Sequence, residues 1–285
     1  MPKSLISLGA NLGNVRETML AAKRMLQEKF PSQSRFIYSH LYRTPPVGGP
    51  AGQSDFLNAV VQIEHACNVW EVWDIVKSVE QELGRQRQQR WESRRIDVDV
   101  LLHDDECIWT PHFKVPHPRM CMRSFILKPA VEIAPDILEP VSGMTVNELY
   151  LQIRTTSHVQ VSTPSAKLTM ALQAAVETPP ANQLFIWRTI ELKDANQLLH
   201  PIHQSPPRLT IVAVSTPDPE TILWEDYSRG WAYKLGMDKH GLSKSPLPIG
   251  PRYLLPANDL AWAVHEIKAA VDAMNCFVEL AYPFE

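Results

Sequence analysis

The sequence predicts an α+β fold: a ferredoxin-like split βαβ domain, with an antiparallel sheet and helices on one face, followed by a smaller α/β C-terminal domain. Three observations predict it. Strand and helix signals alternate from residue 3 to about 154, each helical stretch carries its apolar residues on one stripe, and a Ser-, Thr-, Pro- and Ala-rich segment then separates off a second run of elements.

Taken in order, KSLISLGANLG is a short strand ending in a glycine turn, and Asn14 caps a helix in which Val15, Met19, Ala22 and Leu26 recur at helical spacing. SQSRFIYSHLYRT and FLNAVVQIEH are two strands joined by the loop PPVGGPAGQSD. Asn68 caps a second helix, where Val69, Val72, Trp73, Val76, Val79 and Leu83 form one stripe and Gly84 stops it. RIDVDVLLH alternates with period 2, and the amphipathic VNELYLQI closes a first domain spanning residues 1–155. Residues 156–183 read as a linker with room for a short helix from Ala166 to Glu177.

The second unit, residues 184–285, has strand patterns in LFIWRTIEL, RLTIVAV and PRYLLP, and a helical pattern in PETILWEDYSR. Its strongest helix is DLAWAVHEIKAAVDAMN, with Leu260, Val264, Ile267, Val271 and Met274 on a shared face.

With 285 residues, 45% of them hydrophobic, the chain can bury a sizeable core. A formal net charge of −3 supplies no broad basic field, so neither nucleic acid nor an anionic membrane is the expected partner, and an anionic ligand must be met by a local cluster. Cys67, Cys107, Cys121 and Cys276 are scattered and match no zinc-ligand spacing, which fits reduced thiols in a cytoplasmic protein. Met1 to Lys3 runs directly into the first strand, leaving no room for a secretory leader, and no stretch approaches the ~18 apolar residues of a membrane span.

The chemistry concentrates in RWESRRIDVDVLLHDD. On a strand, residues two apart point to one side, so Asp97 and Asp99 offer two carboxylates on one face while Ile96, Val98 and Val100 can enter the core. Like charges this close call for a cation, and magnesium characteristically takes one or two carboxylates plus substrate phosphates. Acids turned to water are the plain alternative for so short a pattern. The neighbourhood argues for a ligand: Arg85, Arg87, Arg90, Arg94 and Arg95 lie nearby and Arg123 follows PHPRMCM, each with a planar fork of donors suited to phosphate.

At this point SLGANLGN, LYRTPPVGG, FLNAVVQIE, ELGRQR, RWESRRIDVDVLL and VPHPRMCMRSFILKPAVEIAP resemble, in order and spacing, the 6-hydroxymethyl-7,8-dihydropterin pyrophosphokinases of folate biosynthesis. The resemblance implies an ATP-dependent diphosphotransferase that moves a pyrophosphoryl group to the pterin hydroxymethyl, releases AMP and uses two magnesium ions. It implies that Asp97 and Asp99 are metal ligands, that Arg85, Arg94, Arg123 and His117 handle the phosphates, and that Glu80, Arg87 and Trp91 lie on the ATP side. The pterin ring is expected between Phe56 and Phe125, with Asn58 reading its edge and Thr44, Pro45 and Val47 completing the contacts. Taken alone, the two phenylalanines would more often be core. Where many members have Trp-Gly-Pro-Arg-Thr, this chain has Trp91, Glu92, Ser93, Arg94 and Arg95, so two backbone-restricting residues are missing from the loop. A catalytically impaired binding protein of the same fold is therefore a second reading.

The stretches TIVAVSTPDPETILWEDYSRG and GPRYLLPANDLAWAVHEIKAAVDAM resemble the C-terminal half of P-loop nucleoside kinases, but the phosphate-cradling loop is absent. In GMDKHGLS, Leu242 stands where the lysine belongs. The unit is read as a non-catalytic appendage that packs on the first domain, forms a homodimer or binds a protein partner; a second activity is the remaining alternative. His200, His203, His240 and His265 match no standard ligand spacing, and Trp187, Trp224, Trp231 and Trp262 read as core.

Overall fold

A computed structural model describes residues 1–48, 52–84, 95–110, 112–163, 165–176, 184–189, 206–215 and 250–284. The first half runs β1 (Lys3–Ala10), α1 (Val15–Lys29), β2 (Arg35–Tyr38), β3 (Leu41–Thr44), β4 (Phe56–Glu64), α2 (Val69–Glu82) and β5 (Asp97–His103). After the short strands β6 (Ile108–Trp109) and β7 (Lys114–Val115), a 3-10 turn (Met120–Met122) leads into α3 (Ser124–Ile133). The short strands β8 (Leu138–Glu139) and β9 (Met144–Thr145) then precede α4 (Val146–Thr155).

The local signals act as the sequence predicts. The Asn68 side chain accepts from the backbone N–H groups of Trp70 and Glu71, while the Glu71 carboxylate accepts from the Asn68 N–H at 2.7 Å, a complete capping box on α2. Gly84 follows the end of that helix with a φ of +78°, a conformation that favours glycine. The expected strand SQSRFIYSHLYRT divides in two at Ser39. The Ser39 N–H donates to the Val60 carbonyl at 2.9 Å, and its hydroxyl accepts from the Val60 N–H at 3.0 Å. A side-chain oxygen thus stands in for a ladder carbonyl and offsets β3 from β2.

The first sheet is antiparallel and ordered β14-β3-β4-β1-β5, with β2 also paired to β4; β14 (Glu279–Tyr282) comes from the far end of the chain. On one face Ile6, Leu8, Val61, Ile63, Val98 and Val100 pack with Met19, Leu26, Val72 and Val76 of α1 and α2. The opposite face is also covered: Leu5, Val60 and Leu102 join Leu127 and Ala130 of α3 and Leu149 and Ile153 of α4. Helices therefore lie on both faces, not one as the sequence predicts. The cause is visible in pairs such as Leu5 and Ile6, or Val60 and Val61, where consecutive apolar residues put buried side chains on both sides of a strand.

The second half adds β10 (His158–Thr163), α5 (Ala166–Ala175), β11 (Leu184–Thr189), β12 (Leu209–Val214), β13 (Arg252–Pro256) and α6 (Leu260–Asn275). Its sheet is parallel, ordered β11-β10-β12-β13. The segment expected as a linker thus contributes an interior strand, every residue of which is buried, and a helix. Its Ser- and Thr-rich composition conceals a β-branched run, because buried hydroxyls satisfy one another: the Thr163 and Thr169 hydroxyls are 2.6 Å apart. On α6, Ile267, Val271 and Met274 are buried as expected, but Leu260 is 39% exposed. Trp187 and Trp262 pack against the core that also holds α3 and α4. PETILWEDYSR, GMDKHGLS, His200, His203, His240, Trp224 and Trp231 lie outside the described residues.

Candidate active site

One sheet face changes character along its length. Antiparallel register sets Ser7 beside Asp99, and Gly9 between Asn58 on β4 and Asp97 on β5. These are the same-face continuations of Leu5, Val60 and Leu102, so the surface that is apolar under α3 becomes polar at the N-terminal end of that helix. A cleft opens there, lined by Thr44, Pro45, Val47, Phe56, Asn58, Asp97, Asp99, Arg123 and Phe125, together with Gly9 and Gln53. Its volume is about 780 Å³ including the open mouth. Each pterin-side residue expected from the sequence lines this cleft, with both acids and Arg123.

The polar groups of the cleft are fixed by neighbours. Asn58 is 8% exposed and its Nδ2 donates to the Thr44 hydroxyl at 2.8 Å, which orients the amide. Gly9 leaves room for this arrangement: a Cβ at residue 9 would stand 3.0 Å from Asn58 Oδ1, close enough that the amide would have to give way slightly. Asn11 Nδ2 donates to Gln53 Oε1 at 3.3 Å and to the Ser54 carbonyl at 3.2 Å, tying the end of β1 to the segment entering β4. The Arg123 guanidinium lies 5.5 Å from the Phe125 ring centroid, a stacking distance for a cation over an aromatic face.

Asp99 also borders a second cavity, lined by Trp73, Lys77, His112, Lys114, His117 and Pro118. His117 Nε2 is 3.6 Å from Asp99 Oδ2, and His117 Nδ1 accepts from the Arg119 N–H at 3.2 Å. With Nδ1 an acceptor, the proton of the neutral ring belongs on Nε2, facing the acid. Burial pushes the His117 imidazole well below its ordinary range, and the nearby Arg123 and Arg119 charges push the same way. The neutral ring presents its Nε2–H toward Asp99.

Glu80 is not brought to either cavity. It is 2% exposed, its Oε1 accepts from the Val98 N–H at 3.0 Å and its Oε2 from Lys77 Nζ at 2.9 Å. The carboxylate thus holds β5 from behind, between the two aspartates, instead of facing a ligand. Arg85, Arg87, Trp91 and Arg94 lie outside the described residues. Gly9, Lys77, His112 and Lys114 are site residues that sequence reasoning missed. Only Gly9 had a readable signal, a glycine inside a strand pattern. Among the described residues, no cluster of three or more His, Cys, Asp or Glu forms a ready-made metal cage, and no helix is long and apolar enough to cross a membrane.

Comparison with known proteins identifies relatives of the first half of the chain. The family model for 7,8-dihydro-6-hydroxymethylpterin-pyrophosphokinase (HPPK) matches residues 5–135. The 2-amino-4-hydroxy-6-hydroxymethyldihydropteridine pyrophosphokinase of Bacillus subtilis is 39% identical over 132 residues, 46% of this chain and 78% of that protein. The Pseudomonas aeruginosa enzyme of the same name is 36% identical over 135 residues, covering 47% and 82% respectively. The wild-type HPPK-DHPS crystal structure from Plasmodium falciparum aligns with a TM-score of 0.41 at 12% identity, over 89% of this chain and 64% of that one, too loose a likeness to bear on the site. On the identity and coverage of its bacterial relatives, the chain belongs to the 7,8-dihydro-6-hydroxymethylpterin-pyrophosphokinase family.

Proposed function

We propose that the protein transfers a pyrophosphoryl group from ATP to the hydroxymethyl of 6-hydroxymethyl-7,8-dihydropterin, releasing AMP, in the cytoplasmic synthesis of tetrahydrofolate. The observation that carries this reading is Asp99, shared between a cleft with aromatic and amide walls and a cavity with Lys77, His112, Lys114 and His117 on its walls. Such a pair of sites suits a flat heterocycle on one side and a polyphosphate on the other, meeting at the acids. The strand order β3-β4-β1-β5 supports a ferredoxin-like split βαβ core for the first unit.

The pterin stacks on Phe56 and Phe125 while Asn58, oriented by Thr44, reads its edge. The pterin hydroxyl oxygen attacks the β-phosphorus in line, the bond to the α–β bridging oxygen breaks, and AMP leaves. Arg123, together with Arg94, neutralises the phosphates, and His117 donates from Nε2. Asp97 and Asp99 would hold the two magnesium ions. The donor set fits: two carboxylates on one strand face leave the remaining positions for phosphate oxygens and water. When bound, magnesium supplies charge neutralisation on the phosphates and makes the hydroxyl more acidic.

The test is magnesium-dependent AMP release from ATP, measured with and without the hydroxymethyl pterin. Asp97→Asn and Asp99→Asn are each expected to lower turnover by about 100-fold or more while the protein stays folded. Release independent of the pterin, or parent-like turnover in both variants, would refute the assignment.

A further inference from the structure

A polar network, buried at Glu266 and Tyr253 and 27% exposed at the Arg119 side chain, joins the two halves of the molecule beside the cleft. Arg119 lies in the segment that supplies His117 and Arg123, and its guanidinium reaches across to α6. There Arg119 Nε and Nη2 donate to Glu266 Oε2 at 3.1 and 2.8 Å. The Tyr253 hydroxyl of β13 donates to the same oxygen, and Arg119 Nε lies 3.3 Å from that hydroxyl. Glu266 is 1% and Tyr253 3% exposed. Removing such charges from water costs about as much as their pairing returns, so stability alone is a weak reason for the pair, whereas fixing one geometry is a good one.

The network faces the active-site segment on its other side. The Arg119 N–H donates to His117 Nδ1 at 3.2 Å. Two further ties run along the same segment: Cys121 Sγ donates to the Arg252 carbonyl at 3.1 Å, and the Ser124 hydroxyl to the Met274 carbonyl at 2.6 Å. The stretch from His117 to Ser124 is thus suspended from the C-terminal unit, with Arg119 as its charged tie.

We propose that Glu266 and Tyr253 are positioning residues for the transfer reaction, holding Arg119 so that His117 and Arg123 stand at fixed places beside Asp97 and Asp99. This role rests on the activity proposed above. It gives the parallel-sheet unit a part in the chemistry without contact with either substrate.

The experiment uses the full chain. Glu266→Gln and the paired Arg119→Met with Glu266→Met are compared with the parent for kcat, KM for the pterin, unfolding midpoint and amide exchange over residues 116–125. The paired change leaves no orphaned buried charge, so it keeps the fold if the single change does not. In both, kcat should fall about tenfold or more, because a misplacement of an ångström or less in reacting groups is that costly. KM for the pterin should change less than kcat, since Thr44, Phe56 and Asn58 of that pocket lie outside the loosened segment. Exchange over 116–125 should rise about tenfold with residues 97–103 unchanged. A merely structural tie would lower the midpoint and leave kcat of the folded protein alone. Parent-like kcat in the folded paired variant overturns the proposal. A parent that releases no AMP overturns the activity itself and this role with it, so the two failures are told apart by the parent alone.

Discussion

Gly9→Ala puts the smallest addition at the most crowded point of the cleft floor. The new Cβ would lie 3.0 Å from Asn58 Oδ1, inside ordinary carbon–oxygen contact. Asn58 has little room to yield. Its backbone pairs with Gly9 itself, and its Nδ2 is committed to the Thr44 hydroxyl at 2.8 Å. Relief requires a shift of a few tenths of an ångström that lengthens this bond or turns the amide away from the cleft. Overpacking of this kind costs about 1–3 kcal/mol. Expressed in ligand affinity, that is about a 5- to 150-fold weaker pterin Kd. Equilibrium binding of the pterin to Gly9→Ala, Asn58→Ala and the double variant, with unfolding midpoints alongside, separates strain from lost recognition. Once Asn58 is truncated, adding the methyl group at residue 9 should cost almost nothing further. Parent-like pterin affinity in Gly9→Ala at unchanged stability would refute the placement of the pterin edge at Asn58.

Two other outcomes follow from parts of the structure remote from the cleft. His65 and His103 both contact the Ser4 hydroxyl at 2.8 Å in a fully enclosed cluster, and burial, with the nearby His103, lowers His65 to about 4. A folded value below the unfolded one means stability that is present above about pH 6.5 and lost as pH falls toward 4; about 1–2 kcal/mol should disappear between pH 7.5 and 5. Urea unfolding at both pH values checks this, and His65→Phe, packing beside Phe30, should flatten the dependence; equal parent stability at both values would contradict it. Truncation after Ser157 removes the elements that pack on α3, α4 and the 3-10 turn, so the fragment should self-associate and lose cooperative unfolding, measured by size-exclusion chromatography and denaturant titration. A monomeric fragment with the parent midpoint would show that the two halves are energetically independent.

Much of the site is legible in the amino-acid sequence because its residues sit on strands. A period of two assigns Asp97 and Asp99 to one side and Val98 to the other without reference to the rest of the molecule, and Asn58 interrupts an apolar strand in the same way. Glu80 shows the limit of that reasoning. Its place on the ATP side is what the family resemblance implies, but which way a helical carboxylate turns depends on the strand behind it, and the Val98 N–H captures it. Lys77, His112 and Lys114 come together only through the tertiary packing of α2 against the β5–β7 region. The buried strand β10 is hidden for a similar reason: its hydroxyls look like linker chemistry until Thr163, Thr169 and Thr189 are seen bonding to one another. Coverage of the sheet's second face is latent in the doubled apolar residues of β1 and β4, which alternation alone does not capture.

The return of β14 to β3 bears on how the polypeptide is made. During synthesis, the strand Leu41–Thr44 waits, with one row of amides bare, until residue 282 has left the ribosome. An open edge of this kind is a template for neighbouring nascent chains, so a prematurely terminated product carries its own aggregation signal. The same closure joins the evolutionary fates of the halves: a descendant that lost the later one would have to cap the vacated edge anew.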